Sequence, residues 1–264
     1  MTVRSQFPAF QTRADPPLLV AGELRLPPLA EGQRTGAVLI CHGSDGVDGR
    51  GAALAEVLNA RGLATFEIDM WAARGVIRGA AARPASVPQT LPDAFAALAF
   101  LRRQPEIDPR RIAIAGFSWG GVVALLSATR ANVAAHDPEG EGFKAHGAFY
   151  PVLWSYNRAP GHDFQDLTGA PILIQAGALD AYDTEAAVSA FEAGLTSQNH
   201  AQVELVIHPD ATHAFDRALP DRVIVDPYAH DGKGGEVLFR HHPKAAQDAR
   251  RLLADFLDTA LNLP

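Results

Sequence analysis

The stretch Arg111-Ile-Ala-Ile-Ala-Gly116-Phe-Ser118-Trp-Gly120-Gly121 constrains this chain more than any other. Ile112 to Ala115 is a short, unbroken apolar run, the pattern of a strand buried on both faces in a parallel sheet. Val122-Val-Ala-Leu-Leu-Ser-Ala-Thr follows and reads as a helix with an apolar face. Between the two sits Gly-x-Ser-x-Gly, the strand–turn–helix motif of a nucleophile elbow. Gly116 and Gly120 keep Cβ atoms out of the space where strand and helix close up. Ser118 then occupies a strained turn, with its hydroxyl above the sheet at the positive end of the helix.

The same alternation runs through the rest of the chain. Apolar runs over 36–41, 63–69, 145–150, 170–176 and 203–208 read as strands. Helical spacing covers about 50–61, 91–103, 184–195 and 243–261, the last turning Ala246, Leu252, Leu253, Phe256 and Leu257 toward the core. Ahead of them, a short apolar alternation over 18–26 lies between Pro16-Pro17 and Pro27-Pro28 and reads as one or two antiparallel edge strands. Strands that are apolar on both faces and alternate with helices predict an α/β fold: a mostly parallel central sheet flanked by helices on both sides. With no internal repeat or linker, residues 1–264 read as one domain.

Three connecting stretches stand out. Ile107-Asp108-Pro109 reads as the turn into the elbow strand, and 70–88 is a loop long enough to be functional. Residues 219–240, with Tyr228, His230 and Gly232-Lys-Gly-Gly235, read as an insertion that forms a flap or a contact surface. That glycine-rich piece lacks the strand before and helix after it that a phosphate loop requires.

A net charge of −7 leaves no basic footprint, so nucleic acid is not an expected partner and an acidic membrane surface is disfavoured. No apolar run reaches the roughly 18 residues of a membrane-spanning helix. Cys41 is the only cysteine, which excludes an intrachain disulfide and a cysteine-based zinc site; within its strand it reads as an inert core thiol. His241-His242 has no third ligand at useful spacing. Neither metal nor cofactor is implied, and the expected partner is a small-molecule substrate. The segment Met1-Thr-Val-Arg-Ser-Gln-Phe-Pro lacks the apolar core of a secretory signal, which predicts a cytoplasmic protein.

Ligands of open parallel sheets bind at the carboxyl ends of the strands. Asp180 follows the end of the 170–176 strand, and His213 lies in the loop after 203–208. The chain order Ser118, Asp180, His213 is the order of an α/β-hydrolase triad. A serine hydroxyl needs an adjacent base: His213 would take its proton, and Asp180 would fix the tautomer and stabilise the imidazolium. The plainer readings are a turn or cap for Asp180, with Asp183 better placed to cap, and a solvated side chain for His213. His208, followed by Pro209, has less freedom to reach across. Trp119 supplies one oxyanion N–H and Ser44 the other, with Gly43 as its competitor. His42 reads as structural.

These residues carry a resemblance. Gly116-Phe-Ser-Trp-Gly-Gly121, Gly177-Ala-Leu-Asp180, Thr212-His-Ala-Phe-Asp-Arg217 and Asp69-Met-Trp-Ala-Ala-Arg74 resemble the dienelactone hydrolase family of α/β-hydrolases, from about residue 18 to 261. Better-known members have cysteine as nucleophile and a glutamate in the first oxyanion loop. Here Ser118 stands at the nucleophile and Gly43 or Ser44 at the glutamate, so the resemblance implies a serine hydrolase of carboxylic esters or lactones acting through an acyl-enzyme. It further implies that Arg74 and Arg217 grip a substrate carboxylate, although Arg74 follows one extra residue; the plainer reading of Arg217 is a salt bridge with Asp216 or Asp221. Within 150–164, Trp154 and Tyr156 wall the substrate pocket or pack over the sheet edge. A peptidase or acyltransferase on the same fold, or a non-catalytic small-molecule-binding protein, are the other readings.

Overall fold

Strands that are apolar on both faces must be covered from both sides, and the chain folds accordingly. The computed structural model describes residues 2–76 and 83–261. Three short N-terminal strands, β1 (Arg4–Gln6), β2 (Ala9–Gln11) and β3 (Leu19–Leu26), precede β4 (Thr35–Cys41), α1 (Arg50–Ala60) and β5 (Ala64–Asp69). Then come α2 (Leu91–Arg102), β6 (Ile107–Phe117), α3 (Trp119–Leu126), α4 (Arg130–His136), β7 (His146–Phe149) and β8 (Ile172–Gly177). The last third comprises α5 (Glu185–Gly194), α6 (Ser197–His200), β9 (Val203–His208), β10 (Arg222–Asp226), α7 (Ala229–Gly232), β11 (Gly235–Phe239) and α8 (Pro243–Leu261). No helix among the described residues is long and apolar enough to cross a membrane.

The main sheet runs β1-β3-β5-β4-β6-β7-β8-β9, with β2 also paired to β3. β1 and β2 pair antiparallel to β3, and β3 antiparallel to β5; every pairing from β5 to β9 is parallel. One face is covered by α1 and α8, where Leu54, Leu58, Leu253 and Leu257 bury fully. The other face carries α2, α3 and α5 through residues such as Leu98, Val123 and Phe191. Phe10 and Phe66 both stack near Phe100 of α2, holding the N-terminal edge strands to the second layer.

One connection differs from expectation. Ile107-Asp108-Pro109 is the start of β6, not a turn: the ladder steps from Thr35–Ile107 to Ala37–Ile112, so residues 108–111 bulge and the missing N–H of Pro109 costs no rung. Residues 219–240 are an ordered hairpin in which β10 and β11 pair in register from Arg222–Phe239 to Asp226–Gly235. Phe239 bridges to His213, which anchors the hairpin at the site. Of the long 70–88 loop, residues 77–82 lie outside the described residues.

The chain passes from β4 to one side of the sheet and from β6 to the other, so the topological switch point lies at the carboxyl ends of β4 and β6. There α3 presses on the strands. A Cβ on Gly116 would sit 2.1 Å from the Gly120 carbonyl oxygen, and one on Gly120 would sit 2.1 Å from the Cys41 carbonyl oxygen. Both obstacles are backbone and cannot rotate away. Gly120→Ala is therefore expected to lower the unfolding free energy by about 3 kcal/mol, read from a urea titration. A loss below about 1 kcal/mol would show that α3 can shift away from β4.

Candidate active site

Ser118 stands between β6 and α3 with φ 50° and ψ −109°, a strained conformation for a residue with a side chain. The neighbouring backbone holds it there. Its N–H donates to the Phe149 carbonyl of β7 at 2.9 Å, and its own carbonyl accepts the Val122 N–H at 2.9 Å. The hydroxyl is thus raised at the amino end of α3.

His213 reaches it from the loop after β9. The Nε2 atom lies 2.9 Å from Ser118 Oγ, and Nδ1 lies 2.7 Å from Asp180 Oδ2. A carboxylate only accepts, so Nδ1 carries the proton and Nε2 is left to accept from the serine hydroxyl. The other oxygen of Asp180 accepts the Tyr182 N–H at 2.9 Å. His213 is buried, with its ring packed among Tyr150, Tyr182 and Phe239 at centroid distances of 4.7, 4.4 and 5.6 Å. The imidazole therefore has little freedom to turn. His208, the weaker candidate, bonds Gln175 Oε1 at 3.0 Å and takes no part.

The first loop is rigid in its own right. Gly46 N–H donates to the Gly43 carbonyl at 3.0 Å, and the Trp71 indole N–H holds the Ser44 carbonyl at 3.1 Å. His42 is structural, as its strand-end position suggests: it is buried, accepts the Met70 N–H at 2.9 Å, and burial depresses its pKa to about 4. Ser44 and Trp119 both line the cavity at Ser118. The Trp119 indole is fixed by Thr90 Oγ1 at 3.0 Å and by an edge-on contact with Trp71.

Two hollows meet at Ser118. A chamber of about 320 Å³ is walled by Trp119, Val122, Val152, Trp154, Val87 and Tyr228. A recess of about 220 Å³ is lined by His213, Arg83, Arg217, Arg222, Asp45 and Asp226. Ser44, Ser118, Arg83 and Tyr182 belong to both. Of the two aromatic residues expected to wall a pocket, Trp154 does so. Tyr156 instead packs into the core against Phe164 and Phe191.

The arginines are distributed differently from expectation. Arg74 lines neither hollow. Its guanidinium is spent on the fully buried Asp93, with Nη1 donating to Oδ2 at 2.6 Å and Nη2 to Oδ1 at 3.1 Å, and on the carbonyls of Met70 and Gln89. Arg74 closes a short helical turn, Ala72–Arg74, and its side chain meets Asp93 of α2. Arg83 stands at the site instead. It donates to Ser44 Oγ at 2.7 Å and lies between the rings of Trp119 and Tyr228, 5.3 Å from each centroid. Arg217 is at the recess as expected, but neither Asp216 nor Asp221 pairs with it. The nearest carboxylate oxygens belong to Asp48 at 3.6 Å and Asp45 at 3.9 Å, and its buried Nε has no hydrogen-bond partner among the described residues. Burial, followed by the charge of Arg222, lowers its pKa. Arg222, supplied by β10, pairs with Asp45 at 2.6 Å.

Residues 180–184 tie these parts together. Tyr182 donates to the buried Asp226 of the hairpin at 3.0 Å. Asp183 does not cap α5, a role taken by Thr184 through the Ala187 N–H; Asp183 instead accepts the backbone N–H groups of Leu153 and Trp154. Arg83, Arg222, Tyr182 and Asp183 carry no motif of their own, and a residue's distance from Ser118 in sequence says nothing of its distance in space. Among the described residues, no group of three or more His, Cys, Asp or Glu side chains is placed to hold a metal ion.

A mostly parallel sheet with Ser118, Asp180 and His213 in hydrogen-bond contact at its carboxyl edge defines the class, an α/β-hydrolase. Within that class the chain belongs to the dienelactone hydrolase family, whose model matches residues 31–261. A Salmonella typhimurium protein that carries the name carboxymethylenebutenolidase is 35% identical over 113 residues. That alignment covers 41% of this chain and 38% of the relative, so the match spans well under half of that protein's length. Among solved structures, one from Klebsiella pneumoniae that carries the name dienelactone hydrolase superposes with a TM-score of 0.74 at 20% identity, covering 97% of this chain and 99% of the other. Esterase 2 of Thermogutta terrifontis, in a structure phosphorylated by paraoxon, gives 0.69 at 17% identity and covers 98% and 96%. At these identities both show a shared fold.

The Arg74–Asp93 pair yields a direct test. Burial pushes the Asp93 carboxyl up while Arg74 pulls it down, and removing one partner of a buried pair leaves the other uncompensated. Arg74→Ala is expected to cost about 3 kcal/mol of stability in chemical denaturation. A loss comparable to an exposed pair, below about 1 kcal/mol, would contradict the structural role.

Proposed function

We propose that this protein is a serine hydrolase of carboxylic esters or lactones that works through an acyl-enzyme. The observation that carries this is the unbroken chain of contacts from Ser118 Oγ to His213 Nε2 and from His213 Nδ1 to Asp180, in a member of a hydrolase family. Ser118 attacks the carbonyl carbon while His213 takes its proton. Asp180 holds the Nδ1–H tautomer and stabilises the imidazolium. The amides of Trp119 and Ser44 receive the oxyanion, and the braced 43–46 turn spares reorganisation when the charge forms. His213 then returns the proton to the leaving alcohol, and water admitted to the same base releases the acid.

The two hollows divide the substrate. His213 must reach the leaving oxygen and lines only the recess, so the alcohol side departs there and the acyl group occupies the apolar chamber against Trp154. Arg217, with a buried N–H that has no hydrogen-bond partner among the described residues, suits a carboxylate on the alcohol side. Serine at the nucleophile, and Gly43 or Ser44 where thiol members carry glutamate, favour general ester hydrolysis over dienelactone chemistry.

Ser118→Ala is expected to reduce hydrolysis of a short-chain p-nitrophenyl ester by about 10⁴-fold or more and to abolish fluorophosphonate labelling. Undiminished turnover in the variant would end the proposal. For the recess, Arg217→Ala should raise KM for 4-carboxyphenyl butyrate about tenfold while leaving phenyl butyrate within about twofold. An equal rise for both esters would remove Arg217 from substrate recognition.

A further inference from the structure

The wall of the chamber is built on strained backbone. Tyr150 and Val152 both have left-handed conformations, with φ 41° and 56°, and for a β-branched valine this is a true outlier that its surroundings must hold in place. The two amides that follow do not face solvent. Leu153 N–H donates to Asp183 Oδ2 at 2.8 Å, and Trp154 N–H donates to Asp183 Oδ1 at 2.7 Å. One carboxylate thus takes two consecutive amides, one on each oxygen, across a gap of some thirty residues in sequence. Val152 and Trp154 line the chamber on one side of this clamp, and Asp180 lies three residues before Asp183 on the other.

We propose that Asp183 is a positioning residue, a latch that holds the Val152–Trp154 wall against the loop carrying Asp180 and so sets the fit of the acyl chamber. The inference rests on the chamber being the acyl site. Among the described residues no other hydrogen bond ties the backbone of 152–154 to residues 180–184: Trp154 is also held through its indole N–H to the Tyr228 carbonyl, at 3.1 Å, but that bond fixes the ring and not the backbone. Strain at Val152 gives the wall a reason to relax once the carboxylate is lost.

The groups facing Asp183 are Asp180 and His213 of the site and the Tyr156 phenol of the wall segment; next to it, Asp231 of the hairpin binds the Thr184 N–H and hydroxyl. Burial, then the Asp180 charge, push the Asp183 carboxyl up to about 7, against the pull of the two amides and His213. The sign of any pH effect follows. Above that value the carboxylate accepts both amides. On acidification one oxygen becomes an O–H donor and releases its amide, so the wall loosens as pH falls.

Steady-state kinetics with p-nitrophenyl acetate and p-nitrophenyl octanoate test this in wild type, Asp183→Asn and Asp183→Ala. Wild type is expected to show the lower KM for octanoate. Asp183→Ala should raise the octanoate KM about fivefold more than the acetate KM, and Asp183→Asn, which keeps one acceptor, should do so by a smaller factor. KM values that rise equally for the two esters overturn the latch. A wild type with no preference between the esters overturns the chamber reading instead, which separates the two failures. Should the variants not fold, Asp183→Glu, which keeps the carboxylate on a stem one methylene longer, carries the test: its octanoate-to-acetate KM ratio rises about twofold or more over wild type, and an unchanged ratio overturns the proposal.

Discussion

The site depends on the approach of the first turn of α3 to the ends of β4 and β6. Backbone meets backbone there, with no side chain between Gly120 and the Cys41 carbonyl. That contact forces the sharp reversal at Ser118, holds φ at 50° and aims the hydroxyl away from the sheet. Side-chain chemistry alone would not achieve it, because a serine in relaxed backbone would lie along the strand or the helix. The bonds of Ser118 to Phe149 and Val122 then keep the reversal in register with β7. Strain is tolerated because β4 and the Ile112–Phe117 half of β6, buried throughout, over-determine the turn.

From this fixed serine the rest of the site is assembled by loops, and loops need bracing. Residues 180–184 provide most of it. Asp180 aligns His213, Tyr182 reaches the hairpin at Asp226, Asp183 takes the wall amides, and Thr184 binds Asp231. The backbone adds two more links, His230 N–H to the Ala181 carbonyl and Asp231 N–H to the Tyr182 carbonyl. The hairpin is therefore bonded to the loop that carries the acid of the Ser118–His213–Asp180 chain. Because Phe239 also bridges to His213, a shift of the hairpin would be felt at the histidine.

How much of this was legible in the sequence follows from what each feature depends on. The central strands and long helices were legible because burial on two faces, or on one stripe, leaves a trace in the sequence; β4 is buried throughout where the apolar run lies, and α8 spans the residues that helical spacing marks. Ser118, Asp180 and His213 were legible because they follow strand ends in a fixed order. The Ile107-Asp108-Pro109 segment was misread because a bulge lets proline enter a strand, and a bulge is a property of the pair, not of the segment. Arg74 lies away from Ser118 because the buried Asp93 of α2 takes its guanidinium, a partner that no motif marks. Arg83 and Asp183 carried no signal, since each acts on residues far along the chain.

The exchange of charge around the first loop joins these observations. Where the thiol members of the family carry a glutamate, this chain has Gly43 or Ser44, and the space behind Gly43 is filled by Arg50, whose guanidinium would lie 3.1 Å from a Cβ placed there. Arg50 is buried, yet its charge is answered by Asp48 at 2.8 Å and by the Tyr150 hydroxyl, which in turn donates to Asp216. Tyr150 packs edge-on against His213, so this polar cluster supports the imidazole from below. A thiol is acidic enough for a neighbouring carboxylate to govern its ionisation, whereas a serine hydroxyl depends on its histidine. A neutral turn with a compensated arginine behind it is therefore consistent with serine at 118: Gly43 and Ser44 carry no carboxylate to control a thiolate, and the Arg50–Tyr150 cluster packs against His213.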